Sequence, residues 1–113
     1  ERAYRLDEAS HTPLANKMSF LADLAYLYPD LSGHAEEIFQ HAEAAFRACT
    51  ALDARYFLCY NNFAAVGVAF ALRAAQAGAD PGRWLAPALE HLRTTLRLSP
   101  DYREARQHLG LAT

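Results

Sequence analysis

The chain is short of most features that would name a chemistry outright. It has two cysteines, Cys49 and Cys59, too few for the disulfide framework of a small secreted scaffold. Both occupy small-residue positions on apolar helical faces, so buried free thiols and a cytoplasmic setting are expected. Net charge is only −2, which gives no electrostatic reason to expect nucleic acid or an anionic membrane as partner. No apolar run approaches the roughly 18 residues of a membrane span. β-Branched residues are scarce and no alternating apolar–polar stretch occurs, so strands are not expected. The chain opens on Glu1-Arg2 without a charged-then-apolar start, so no signal peptide is expected, and the missing initiator Met points to a fragment of a longer protein or to a processed or trimmed one.

What is present is helical. Apolar residues make up 52% and charged residues 21% of 113 residues, the balance of one domain with a real core. Residues 1–12 are polar and carry no clear pattern. Thr12-Pro13 can open a first helix, with Thr12 as N-cap, carrying Leu14, Met18, Leu21, Ala25 and Tyr28 until Pro29-Asp30 stops it. A second helix is expected from about His34 to Ala51, a third from Tyr56 to Ala77, a fourth from Arg83 to Leu98 and a last from Tyr102 to about Leu111. Asp53-Ala54-Arg55, Gly78-Ala79-Asp80-Pro81-Gly82 and Ser99-Pro100-Asp101 supply the turns. Connections this short make successive helices antiparallel neighbours. Helix 2 should therefore contact helices 1 and 3, and helix 4 should contact helices 3 and 5. Ala42, Ala64 and Ala88 fall where helices approach closely, with Phe46, Phe63, Leu92 and Leu109 filling the space beside them.

The chain also repeats itself. The stretch from Leu52 to Ala64 returns 46 residues later from Leu98 to Gly110. Few residues are identical, but their kinds correspond: a helix-ending Leu, a turn, a Tyr, a small residue at Cys59 or Ala105, then Phe63-Ala64 or Leu109-Gly110. Repeats at such a period are usually stacked helix pairs, which cannot bury their apolar faces alone and are built to present a surface.

Ala88, Leu92, Thr95, Pro100, Tyr102 and Leu109-Gly110 together resemble the motif of tetratricopeptide repeat proteins. The earlier copy is Ala42, Phe46, Cys49, Ala54, Tyr56 and Phe63-Ala64, with Ala54 departing from the family's Pro, and Leu21-Ala22 would be the matching pair of the first helix. The resemblance covers roughly residues 14–112. The family's usual period is about 34 residues; the excess here lies between Gly67 and Ala88. This long-hairpin form is similar to repeats found downstream of the kinase domain in some bacterial serine/threonine kinases, where a Gly-x-Asp-Pro element opens the second helix of the pair, as Gly78-Ala79-Asp80-Pro81 would do here. The resemblance implies an all-α right-handed superhelix of two and a half repeats across a single domain, residues 1–113, acting as a protein-interaction module of a larger signalling protein.

It also implies a concave groove lined by alternate helices. That places Asn16, Ser19, Asp23 and Tyr26 of the first helix, Asn61, Ala65 and Val68 of the third, and Glu104 and Gln107 of the last around a peptide or protein partner. Chaperone-binding members clamp a terminal carboxylate with Lys, Asn and Arg; Asn16 and Asn61 match part of that clamp, whereas Asp23 and Glu104 oppose an anionic ligand.

Enzymatic chemistry has little to stand on. There is no glycine-rich phosphate loop, no His-Arg-Asp, no Asp-Phe-Gly and no nucleophile elbow, so neither catalysis nor a cofactor is expected. His34, Glu37 and His41 share one helix face. They leave open a rival reading as a small helical-bundle metal protein or enzyme, although the sequence names no further ligand from another helix. His91 and His108 sit on helices that should pack together and read as surface or groove histidines. A third reading is a self-associating scaffold whose exposed terminal helices stack into a homo-oligomer.

Overall fold

A computed structural model describes residues 11–27 and 34–112, and the side chains of residues 12–25 and 34–110. Five helices fill the described chain: α1 His11–Leu27, α2 Ala35–Leu52, α3 Phe57–Gln76, α4 Gly82–Leu98 and α5 Arg103–Ala112. The described residues hold no strand, so the protein is all-α. Where both ends of a helix are described, they fall within about a residue of the positions expected from turn chemistry. Thr12 lies inside α1 rather than capping it. The segment 1–10, the expected stop at Pro29-Asp30 and the side chains of Tyr26 and Tyr28 lie outside the described residues.

Each turn has a local cause. At the end of α2, Asp53 takes an extended backbone and its N–H returns to the Cys49 carbonyl at 3.0 Å. Asp53 Oδ1 accepts from the Arg55 N–H at 3.0 Å, the side-chain mimic of a turn that suits Asp. At the end of α3, Gly78 adopts φ 77° and its N–H bonds the Ala75 carbonyl, while the Ala79 N–H reaches back to Ala74 at 2.8 Å. That left-handed closure is why a glycine stands there. Asp80 Oδ1 then accepts from the Gly82 N–H at 2.9 Å, opening α4.

The repetition in the sequence reappears in the backbone. Ser99, 46 positions after Asp53, takes a similar extended conformation, and its N–H bonds the Thr95 carbonyl at 2.8 Å. Tyr56 N–H bonds Asp53 O at 3.2 Å, and Tyr102 N–H bonds Ser99 O at 3.1 Å. Burial repeats in part: Ala42 and Ala88, Cys49 and Thr95, and Cys59 and Ala105 are all buried, whereas Leu92, Phe63 and Ala64 are buried and their counterparts Phe46, Leu109 and Gly110 are half-buried or exposed.

α3 is the centre of the molecule. It packs against all four other helices, α2 packs also on α1, and α4 also on α5. Every residue from Phe63 to Ala71 is buried. Gly67 lets α4 come close: a Cβ there would stand 3.0 Å from the Trp84 carbonyl oxygen and 3.1 Å from Ala88 Cβ. Ala42, Ala64 and Ala88 are buried where helices meet, and Leu92 and Phe63 fill the core beside them, while Phe46 and Leu109 are half-buried. With Arg73 as its only charged residue, α3 is long and apolar enough to cross a membrane by length and composition. That corrects the expectation that nothing in the chain reaches that length: Asn61 and Asn62 interrupt the apolar run without outweighing it. Here the helix is the buried core of a bundle.

One expectation is overturned. Cys49 and Cys59 are joined in a disulfide rather than standing as free thiols. The reason is geometric. The α2–α3 turn folds the two small-residue positions onto each other with Cα atoms 5.8 Å apart, inside the range a disulfide spans. Both residues are fully buried.

Candidate functional site

Two side chains at the start of α3 hold the alternate helices together. Asn62 Nδ2 donates to the Ala15 carbonyl of α1 at 2.9 Å. Asn61 Nδ2 donates to Asn62 Oδ1 at 3.0 Å and to Glu104 Oε1 of α5 at 3.4 Å. The Tyr102 hydroxyl donates to the second Glu104 oxygen at 2.9 Å. A polar relay therefore runs from α1 through α3 to α5. Burial, the bond to Glu104 and the charge of that carboxylate push the Tyr102 phenol up to about 12.

The relay is unevenly satisfied. Asn61 is fully buried, and its Oδ1 has no hydrogen-bond donor among the described residues. Turning the amide over would not cure this, because it would set an oxygen against the Glu104 carboxylate. Glu104 is exposed and, among the described residues, forms no ion pair.

The structure divides the nine residues expected to line a groove. Asn16, Ser19, Asp23, Glu104 and Gln107 are exposed. Asn61, Ala65 and Val68 are buried, so they are not open to a ligand in this state. Tyr26 lies on α1, with its side chain outside the described residues. The sequence pointed to Asn61 and Glu104 as groove residues but not to the bond between them. Nothing in the spacing of Asn62 and Glu104 says that one would reach α1 and the other would accept from Asn61.

A second cluster lies between α2 and α4. His91 packs against Phe46 at 4.8 Å, Phe63 at 5.4 Å and Tyr60 at 6.2 Å between ring centroids. Phe39 and Trp84 continue the row at 4.9 Å. Arg83 ties its end by pairing with Glu36 and covering the Trp84 ring at 4.3 Å. Burial among these rings lowers the His91 pKa, against a smaller opposing pull from Glu90. The cluster packs two helices together and offers no nucleophile.

His34 and Glu37 pair at 3.7 Å on the surface of α2, and His41 is exposed on the same helix. Among the described residues, no three His, Cys, Asp or Glu side chains converge as a metal site would need. The exposed apolar residues Phe20, Leu52 and Leu72 sit on three different helices. Compared with family models, curated proteins and solved structures, the chain has no significant match.

Proposed function

We propose that the chain is a protein-interaction module whose helix pairs stack in the manner of a tetratricopeptide repeat, binding a peptide or protein on the side presented by α1, α3 and α5. The observation that carries this reading is the 46-residue recurrence, which extends from residue kinds to turn hydrogen bonds and burial. Recurrence of residue kinds and turn bonds is what an array of like units would produce. Exposed Asn16, Ser19, Asp23, Glu104 and Gln107 supply polar contacts on that side. A larger signalling protein, a bacterial kinase among the candidates, is the parent that the long-hairpin resemblance suggests. The disulfide favours an oxidising compartment, and the cytoplasmic setting inferred from free thiols loses that support.

Site-specific photo-crosslinking tests the reading. A benzophenone side chain at Ser19 or Gln107 should capture a partner, and the same group at exposed Ala44 of α2 or Ala86 of α4 should not. Capture from the α2 and α4 positions alone would overturn the assignment of the binding side. A chain that crosslinks only to copies of itself would favour the self-associating scaffold.

A further inference from the structure

The relay at the start of α3 has spent its donors and kept its acceptors. Both contacts of the Asn61 amide nitrogen go to oxygen atoms, Asn62 Oδ1 and Glu104 Oε1. The Tyr102 hydroxyl is committed to Glu104 Oε2. What remains open is the Asn61 carbonyl oxygen, buried without a donor, and the lone pairs of a carboxylate with no ion-pair partner among the described residues. An unpaired buried acceptor costs free energy until something donates to it. The Tyr102 hydroxyl holds Glu104 Oε2 at 2.9 Å, so the carboxylate stays tethered when its longer contact to Asn61 is released.

We propose that this corner is a subsite for an alkylammonium or guanidinium group, carried by a Lys or Arg side chain of the partner. The inference rests on the interaction-module reading and gives that partner a chemical preference. The cation meets the exposed Glu104 carboxylate first. The Asn61–Glu104 contact, 3.4 Å long, is the longest of the relay; as Glu104 swings toward the cation the Asn61 amide nitrogen keeps Asn62 Oδ1, and the uncovered amide can offer its carbonyl to the incoming donor. Asn62 keeps α3 anchored on α1 through Ala15 while this happens. A carboxylate ligand would face Glu104 and an acceptor oxygen and be repelled, which is the reverse of a terminal-carboxylate clamp.

The test uses the full chain, isotope-labelled, titrated at constant ionic strength with butylammonium, ethylguanidinium or butyrate. A capped pentapeptide with one central lysine and its central-leucine counterpart are titrated alongside. The two cations and the lysine peptide should shift the Asn61 side-chain amide and the Glu104 backbone resonance saturably, the peptide more tightly than the free cations; butyrate and the leucine peptide should not. Glu104→Gln, an exposed change that leaves the core intact, should weaken the lysine peptide by about tenfold or more, as expected when one side of a charge-assisted hydrogen bond is removed. Equal response to butyrate, or unchanged affinity in Glu104→Gln, overturns the subsite. Crosslinking at Ser19 and Gln107 that persists in Glu104→Gln would then show that the broader reading survives without it. Free cations binding as tightly as the lysine peptide would overturn the assignment to a partner's side chain.

Discussion

Breaking the Cys49–Cys59 bond should loosen the protein without changing its shape. The bond closes a loop with a sequence separation of 10. Closing a loop of that length removes enough freedom from the unfolded chain to stabilise the fold by about 3 kcal/mol. The folded state changes less, because the turn is independently held by the Asp53–Cys49 and Tyr56–Asp53 backbone bonds and the Asp53–Arg55 side-chain contact. Both cysteines are buried, so a reduced pair would stay packed as small apolar groups. Unfolding entropy for 113 residues is about 0.24 kcal/mol per kelvin near 60 °C, so 3 kcal/mol corresponds to a fall in Tm of about 12 °C. The assay is thermal denaturation followed by circular dichroism, for the oxidised protein, the protein in excess dithiothreitol, and the Cys49→Ala/Cys59→Ala variant. Helix content at 25 °C should match in all three. A fall in Tm below about 4 °C, or two thiols titrating in the denatured oxidised protein, would refute the argument, the first through its energetics and the second through its premise.

Other changes probe other contacts. Leu92→Ala empties a fully buried site between α3 and α4 and should cost about 2–5 kcal/mol in urea denaturation, a loss under about 1 kcal/mol being incompatible with that packing. Gly67→Ala should destabilise by about 1–3 kcal/mol, since its Cβ would crowd the Trp84 carbonyl and Ala88, and a neutral result would mean that α4 can back away freely. Asn62→Ala removes the bond to the Ala15 carbonyl, which keeps its place in the α1 helix, and should cost about 0.5–1.5 kcal/mol, with faster amide exchange in α1; unchanged exchange would disprove the tether. His91 is held below its ordinary pKa by burial, so the unfolded chain takes up this proton first as pH falls. Its contribution to stability is therefore present above about pH 6.5 and is lost as pH drops through the lower folded value. His91→Phe should reduce the fall in urea midpoint between pH 7.5 and pH 5, and an identical fall in both proteins would count against it.

The order, type and approximate ends of the helices were legible in the sequence because their causes are local. Apolar spacing, Asp53, Gly78, Asp80 and Pro100 act within a few residues of where they stand. The recurrence of Leu52–Ala64 at Leu98–Gly110 is matched by the burial of Cys59 and Ala105, but not by that of Ala64 and Gly110, of which only Ala64 is buried. Tertiary structure decided the rest. Whether Cys49 and Cys59 bond depends on how one turn folds two helices together, which residue type alone does not state. Asn61 carried a signal as an amide on an apolar helix, yet its bond to Glu104, 43 positions away, exists only because α5 packs on α3. Asn62 and Asn61 are neighbours with equal sequence credentials, and only the packing of α1 and α5 on the two sides of their helix gave one a backbone carbonyl and left the other an oxygen without a donor. Local patterns set the elements; the distances between helices are set by side chains that meet only once the core has formed.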